Sequence, residues 1–382
     1  MRALFATLAL AACTSKEPVD EPVARWETLP LAERLGDEGM AVWPADTQVF
    51  NWLNAVWGYG LLSVHQASGE ARFLDYGASW MTDAKARFEG ADPMTFSASD
   101  EMAASGVASI VSDRAGLDLS PILNEADAYV DTRAGRLSNG AIAHWGEGNT
   151  FQTDQVWVDS LFMIGMYWLA EFDRTGDTTH LDALATQLDL FSDLCRDPSS
   201  ELYRHAYDDS DAVNIPADAI YWARGNSWVL VAASELLSRV EKDGPTWTNA
   251  QPAFASQAAA VAALQAEDGL WTTVLNDPHP GDGLNYTETS ASALIVSALA
   301  RGVDEGALDA ATFNPVIDRG VVGLVARLRD DGDKLVVEGT SIGTNPGDYD
   351  NYVDTPAMDG FVLGVGAVMR TLAEVDGRPR VE

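Results

Sequence analysis

Six times along this chain a polar opening runs into a helical segment that is apolar on nearly every face, and this recurrence limits the available folds more than any other feature. The segments begin near Asn51, Asp100, Asp154, Asn226, Glu288 and Asp359; Val156 to Phe172, Trp228 to Val240 and Ser290 to Leu299 are the clearest. A helix without a polar stripe must be enclosed on all sides. Between them lie amphipathic helices, Phe73 to Phe88, Thr179 to Leu194 and Ala253 to Ala266, whose polar sides suit an outer layer.

The punctuation repeats too. Ser68-Gly69-Glu70 and Thr175-Gly176-Asp177 are near copies, short glycine turns suited to antiparallel helix pairs. Returning connections recur as Gly135-Arg136-Leu137, Glu201-Leu202-Tyr203, Asp268-Gly269-Leu270-Trp271 and Asp333-Lys334-Leu335. Their spacing is well beyond the roughly 34-residue period of two-helix solenoids. Six inner helices closed into a ring, with six outside, account for both layers. The expected fold is therefore all-α, an (α/α)6 barrel formed as one domain by residues 26–382. An open helical array would expose an apolar edge at each end and need polar caps, which the sequence does not supply.

Composition agrees with a large core. The 382 residues are 47% apolar and 21% charged, and a chain of this mass buries about 45,000 Å² on folding. With 24 Lys and Arg against 58 Asp and Glu the formal charge is −34. Such a chain repels phosphate backbones, so nucleic-acid binding is excluded as a function class. No apolar run is long enough to span a membrane.

Met1-Arg2, an apolar stretch from Ala3 to Ala12 and then Cys13 have the layout of a secretory signal. Leu10-Ala11-Ala12-Cys13 resembles a bacterial lipobox, which makes residues 1–12 a signal peptide, Cys13 the lipidated first residue and 13–25 a flexible tether. An ordinary signal peptide with a chance cysteine is the plainer reading. On the lipobox reading the product is an exported, membrane-anchored lipoprotein, and Thr14 after the cysteine resembles outer-membrane sorting. The remaining cysteine, Cys195, then has no disulfide partner and is expected to be a small buried side chain.

If all inner helices run the same way, their polar openings gather at one mouth. Asp100, His144, Asp154, Asp159, His205, Arg224, Asn226 and Glu288 fall there, with Trp157, Trp222 and Trp228. Aromatic walls with a few carboxylates, amides and an arginine suit a sugar cleft, and six helix N-termini can hold an anion despite the net charge. Asp159 stands in the otherwise apolar Trp157-Val158-Asp159-Ser160-Leu161-Phe162-Met163. Burial is expected to raise its pKa, as suits a general acid; a structural Asp lining the helix start is the alternative. Arg224 calls for a carboxylate partner, internal or on a substrate, and Asn226 or Ser227 is the expected N-cap. His144 and His205 match no zinc spacing, so no metal is expected, and no nucleotide or cofactor motif is present.

Trp157 to Met163, His205-Ala206-Tyr207-Asp208, Trp222-Ala223-Arg224-Gly225-Asn226-Ser227-Trp228, Asp268 to Trp271 and Tyr286 to Ala293 together resemble glycoside hydrolase families 88 and 105, and family 105, the unsaturated rhamnogalacturonyl hydrolases, more closely. The resemblance runs from about residue 45 to 375. It implies an (α/α)6 barrel that, without a cofactor, removes a 4,5-unsaturated uronic acid from the non-reducing end of lyase-generated oligosaccharides by hydrating the C4=C5 bond. It implies that Asp159 is the acid and also the base toward water, and that Asp100 is a second essential carboxylate, with Glu101 as the alternative register. Trp157, Trp222, Arg224, Asn226 and Trp228 would line the sugar subsite, His144 and His205 would contact substrate, and Tyr59 and Trp52 are weaker candidates. Two further readings remain open: a membrane-tethered oligosaccharide-binding barrel without catalysis, and another (α/α)6 carbohydrate-active enzyme. Ser227, where the family carries Gly, is a mild departure.

Overall fold

In the computed structural model, which describes residues 24–146, 149 and 154–381, the apolar segments form six inner helices. These are α2 (Trp52–Ser68), α4 (Met102–Ala115), α6 (Asp159–Thr175), α8 (Ala223–Leu237), α10 (Thr289–Asp304) and α13 (Val362–Val375). The outer layer is α1 (Leu29–Val42), α3 (Ala71–Lys85), α5 (Ser120–Ala128), α7 (Thr179–Cys195), α9 (Pro245–Ala262) and α11 (Ala310–Ala326), and a short α12 (Tyr349–Val353) lies in the last long loop. The signal peptide, Cys13 and nearly all of the tether lie outside the described residues.

Each inner helix packs on the next in chain order, and α13 returns to α2, so the ring closes. Closure brings two backbones together. A Cβ at Gly366 would lie 2.5 Å from the Val56 carbonyl oxygen, and one at Gly60 would lie 2.6 Å from that of Gly366. No larger residue fits either place without moving the helix. All fifteen residues of α8 are buried, as is α6 from Asp159 to Glu171. The all-round apolar pattern is thus the pattern of a helix walled by two neighbours, an outer helix and the barrel interior. The paired turns end α2 and α6 with Gly69 and Gly176 at φ 74° and 75°, the left-handed conformation that closes a helix with little cost only for glycine.

Short strands carry the connections at the mouth. β1 (Ala134–Arg136) pairs with β2 (Ile142–Gly146), and β3 (Gln155–Trp157), β4 (Ala206–Asp208) and β5 (Val213–Ile215) form a three-stranded sheet. Two further pairs are β6 (Leu328–Asp330) with β7 (Leu335–Val337) and β8 (Thr340–Ser341) with β9 (Ala357–Met358). These strands correct two expected boundaries. Gln155–Trp157 join the ladder to β4, so α6 starts at Asp159 and not near Asp154, which sits in a turn. The Ala223 N–H donates to the Thr273 carbonyl, which sets the start of α8 at Ala223. Asn226 and Ser227 therefore fall inside the first turns, and the N-cap is Trp222. α9 also begins eight residues before the expected Ala253, at Pro245, whose fixed φ and missing N–H suit a first helical position.

The opposite end is sealed by charge. The Glu235 carboxylate, 4% exposed, takes Arg239 at 2.6 Å, Arg301 at 3.2 Å and Arg370 in a short contact. Arg301 also pairs with Glu374 at 2.6 Å. Helix C-termini carry partial negative charge, so arginines are stabilised there. Glu235 and the three arginines on it, with Tyr59, line a cavity of about 120 Å³. Cys195 is a buried free thiol.

Two substitutions measure these constraints. Gly366→Ala should lower the unfolding free energy by about 1–3 kcal/mol or more, because the facing group is backbone and cannot swing aside. Glu235→Ala should cost about 3–5 kcal/mol by leaving a buried guanidinium unpaired. Urea denaturation of each variant against the parent checks both, and a plug without energetic weight would leave the Glu235→Ala midpoint unchanged.

Candidate active site

Asp159 is placed by two kinds of backbone constraint. It is the first residue of α6, so its carboxylate lies in the favourable field of a helix N-terminus. The pairing of Trp157 with Ala206, continued by the bond from Val158 N–H to the His205 carbonyl at 3.0 Å, holds His205 alongside. His205 Nε2 then stands 3.0 Å from Asp159 Oδ2. Its Nδ1 lies 3.1 Å from the Tyr352 hydroxyl.

A second histidine and carboxyl face the first pair. His144 lies on β2, and the bridge between Ala98 and Trp145 draws the turn Ser99–Glu101 against that strand. His144 Nδ1 is 3.2 Å from the Ser160 hydroxyl, while Nε2 is 3.6 Å from Asp100 Oδ1, beyond hydrogen-bonding distance. The buried Nε2 has no hydrogen-bond partner among the described residues. Aromatic faces brace both rings. Trp157 stacks on His144 at 4.0 Å and Trp222 on His205 at 4.2 Å.

The two carboxyls differ in access and in charge. The Asp100 side chain keeps 34% of its surface, that of Asp159 only 12%. Burial among protein groups, followed by the charges of Asp159 and Glu101, pushes the Asp100 pKa up to about 7. For Asp159 burial acts upward as well, but the charge of His205, in ion-pair contact at 3.0 Å, outweighs it and holds the carboxyl below its ordinary value. Burial pushes His144 down to about 4, so it is neutral at pH 7. The expectation of a raised pKa at Asp159 is therefore corrected. Desolvation was the right force at the wrong carboxyl, because the motif does not show that a histidine from a neighbouring loop compensates it.

Glu101 does not enter the mouth pair. Its carboxylate accepts the backbone N–H groups of Ser97 and Ala98 and caps its own turn. Arg224 is fully buried: Nη1 donates to the Ser341 carbonyl and hydroxyl at 2.9 and 2.8 Å, Nη2 to the Ile342 carbonyl at 2.6 Å, and the buried Nε has no hydrogen-bond partner among the described residues. Glu288, 3.8 Å from the guanidinium, is itself used as the cap of α10 and as acceptor for Ser341 N–H. The internal carboxylate partner of Arg224 is thus Glu288, held at 3.8 Å as a buried ion pair and not in the bidentate contact expected, and the Ser341 and Ile342 carbonyls take the hydrogen bonds. Asn226 is buried and bonds both backbone groups of Tyr203, two residues before His205. Trp228 is wholly buried against Phe162. Tyr59 lies inside the barrel with its hydroxyl on the Ala103 carbonyl at 2.9 Å, away from the mouth cluster. Trp52, by contrast, is partly exposed beside Gly343 at the mouth.

Tyr352 is the site residue that the sequence reading missed. It stacks beyond Trp222, 6.0 Å away and nearly parallel, on a segment rich in Gly, Asn and Asp that reads as a plain loop. Among the described residues no group of three His, Cys, Asp or Glu is arranged to hold a metal.

The carboxyl pair makes a direct prediction. In a carboxyl-carbon NMR titration Asp100 should titrate near pH 7, and Asp159→Asn should move that midpoint down by removing one of the charges that raise it. Burial remains, so the midpoint should stay above 3.8. An unchanged midpoint would mean that the two groups do not interact.

Comparison with known proteins bears on the family and the fold. The family model described as Glycosyl Hydrolase Family 88 matches residues 32–377. The chain is 25% identical over 329 residues to the unsaturated rhamnogalacturonyl hydrolase YesR of Bacillus subtilis (strain 168), covering 85% of this chain and 89% of that protein. A family 105 glycoside hydrolase from C. acetobutylicum ATCC 824 superimposes with a TM-score of 0.79 at 17% identity, covering 90% of this chain and 98% of that one. The unsaturated glucuronyl hydrolase of Bacillus sp. GL1 does so with 0.69 at 16% identity, over 93% and 98%. These structures share the barrel. With the family model matching nearly the whole helical ring, the chain belongs to glycosyl hydrolase family 88.

Proposed function

We propose that this protein hydrolyses oligosaccharides that carry a 4,5-unsaturated uronic acid at the non-reducing end, most closely those in which the uronate is linked to rhamnose. The observation that carries the reading is the unequal carboxyl pair. Hydration of an enol ether needs one group that gives a proton to C4 and one that takes a proton from the water adding at C5. The free protein offers both near neutral pH: with a pKa of about 7, Asp100 carries a proton in a large share of the molecules, and Asp159 is ionised. The hemiketal formed at C5 opens to a ketone, and the sugar chain leaves from C1. One proton has then passed from Asp100 to substrate and another from water to Asp159. Exchange with solvent, or between two carboxyls that titrate as a coupled pair, restores the start.

Other features support the same substrate class. The N-termini of the inner helices surround the mouth with partial positive charge, which suits a uronate carboxylate. His144 Nε2, unpartnered 3.6 Å from Asp100, can meet a sugar hydroxyl. The name of the Bacillus subtilis relative supports rhamnogalacturonyl specificity. The Leu10-Ala11-Ala12-Cys13 sequence supports lipid anchoring of the same enzyme at a bacterial membrane, which metabolic labelling with a fatty acid tests.

The decisive assay follows the ultraviolet absorbance of the conjugated double bond for residues 23–382 mixed with unsaturated disaccharides from pectin-backbone, glycosaminoglycan and ulvan lyase digests. Absorbance should fall on the rhamnose-linked substrates. Asp159→Asn should reduce kcat by about a hundredfold to ten-thousandfold, the span of a lost general acid or base. The pH profile of the parent separates the two assignments of the acid, since Asp100→Asn is impaired on either. If Asp100 supplies the proton, kcat/KM falls as the pH rises through the Asp100 midpoint near 7; if Asp159 supplies both, as the motif implies, kcat/KM does not follow that midpoint. Tight binding with no loss of absorbance would favour the oligosaccharide-binding barrel instead.

A further inference from the structure

We infer that Tyr352 is a positioning residue that sets the hydrogen-bonding state of His205 and through it the carboxylate of Asp159. Tyr352 is fully buried behind Trp222, and its hydroxyl bonds neither carboxyl of the pair. That hydroxyl has two neighbours: the Gly347 backbone N–H, 3.3 Å away, and His205 Nδ1 at 3.1 Å. The backbone N–H can only donate, so the phenol oxygen accepts there and has its own proton to give. Nδ1 is the acceptor at hand. In its neutral form, an imidazole that accepts at Nδ1 carries its proton on Nε2, the atom 3.0 Å from Asp159 Oδ2; in the protonated form both nitrogens carry protons, so the hydroxyl selects a tautomer only in the neutral form. The phenol stays protonated, since burial raises its pKa well above the ordinary tyrosine value.

The opposite tautomer shows what the hydroxyl prevents. With the proton on Nδ1, the Nε2 lone pair would face the Asp159 carboxylate at 3.0 Å, and both would repel. Tyr352 is held in register by the segment that leads to it. Arg224 fixes Ser341 and Ile342, the Glu288 carboxylate takes Ser341 N–H, and Asp348 caps the short α12 through Asn351 N–H. The chain of contacts thus runs from Arg224 through the 341–352 segment to Tyr352, His205 and Asp159.

The test uses residues 23–382 with 15N-labelled histidine, the His205 signals being assigned by their loss in His205→Asn. In the parent protein, followed to a pH at which the His205 ring has lost its second proton, the imidazole shifts should report the remaining proton on Nε2. Tyr352→Phe keeps the ring that stacks on Trp222 and should move His205 toward the Nδ1 tautomer at an unchanged melting temperature. On the hydrolase reading, on which only this kinetic half rests, kcat should fall by about tenfold to a hundredfold, the order found for outer partners of metal-bound histidines, with KM within about twofold. A parent protein with its proton on Nδ1, or a Tyr352→Phe variant that keeps both tautomer and kcat, overturns the inference. If the parent turns over no unsaturated uronide, the hydrolase reading fails by itself and the tautomer alone decides: a shift in Tyr352→Phe sustains the inference, no shift overturns it.

Discussion

An ionised carboxylate inside a ring of apolar helices is the constraint on which the mouth of this barrel depends. Removing a charge from water costs several kcal/mol unless other groups replace the solvent. At Asp159 they come from two sources: the first turn of α6 and His205 at 3.0 Å. Only the helix itself lies near Asp159 in sequence. The three-stranded sheet β3–β4–β5 makes this arrangement by locking the start of α6 to the loop that carries His205. Part of the cost falls on Asp100, whose pKa is pushed up to about 7 first by its own burial and then by the negative charge of Asp159.

The two ends of the ring meet opposite electrostatic demands. Inner helices that run the same way place partial positive charge at the mouth and partial negative charge at the far end. The far end is answered by Arg239, Arg301 and Arg370 gathered on Glu235, the mouth by Asp159 and by the Glu288 cap of α10. Net charge and local field therefore need not agree, and a chain of net charge −34 can still carry partial positive charge at its mouth. Excess acidity on the outer helices and loops is screened by solvent within about 10 Å at ordinary ionic strength, whereas the helix termini act at contact distance.

The fold was legible because burial on all sides writes itself into sequence. α6, α8 and α10 have no polar stripe, and only a ring walled on both faces uses such helices six times. Glycine turns such as Gly69 and Gly176 were legible for a similarly local reason, since left-handed backbone selects them. Boundaries were not: Gln155 to Trp157 continue the apolar run into α6, and only pairing with β4 makes them a strand. At the site, residue types at helix openings placed Asp100, Asp159, His144 and His205 in one mouth. The sign of each pKa shift could not be read, because it depends on which loop crosses which helix. Tyr352 lies 147 residues beyond His205, and ring closure alone brings them together.

Arg224 shows how far a motif underdetermines a side chain's task. In Trp222-Ala223-Arg224-Gly225-Asn226-Ser227-Trp228 every large residue is buried, and the guanidinium spends its donors on the oxygens of Ser341 and Ile342. Asn226 does the same for Tyr203. The motif therefore holds loops from two directions: Asn226 steadies the loop carrying His205, and Arg224 the segment carrying Tyr352. The two loops meet at the Tyr352–His205 contact. A sequence this specific can be required by the geometry it imposes on its neighbours, with substrate met by residues those neighbours present.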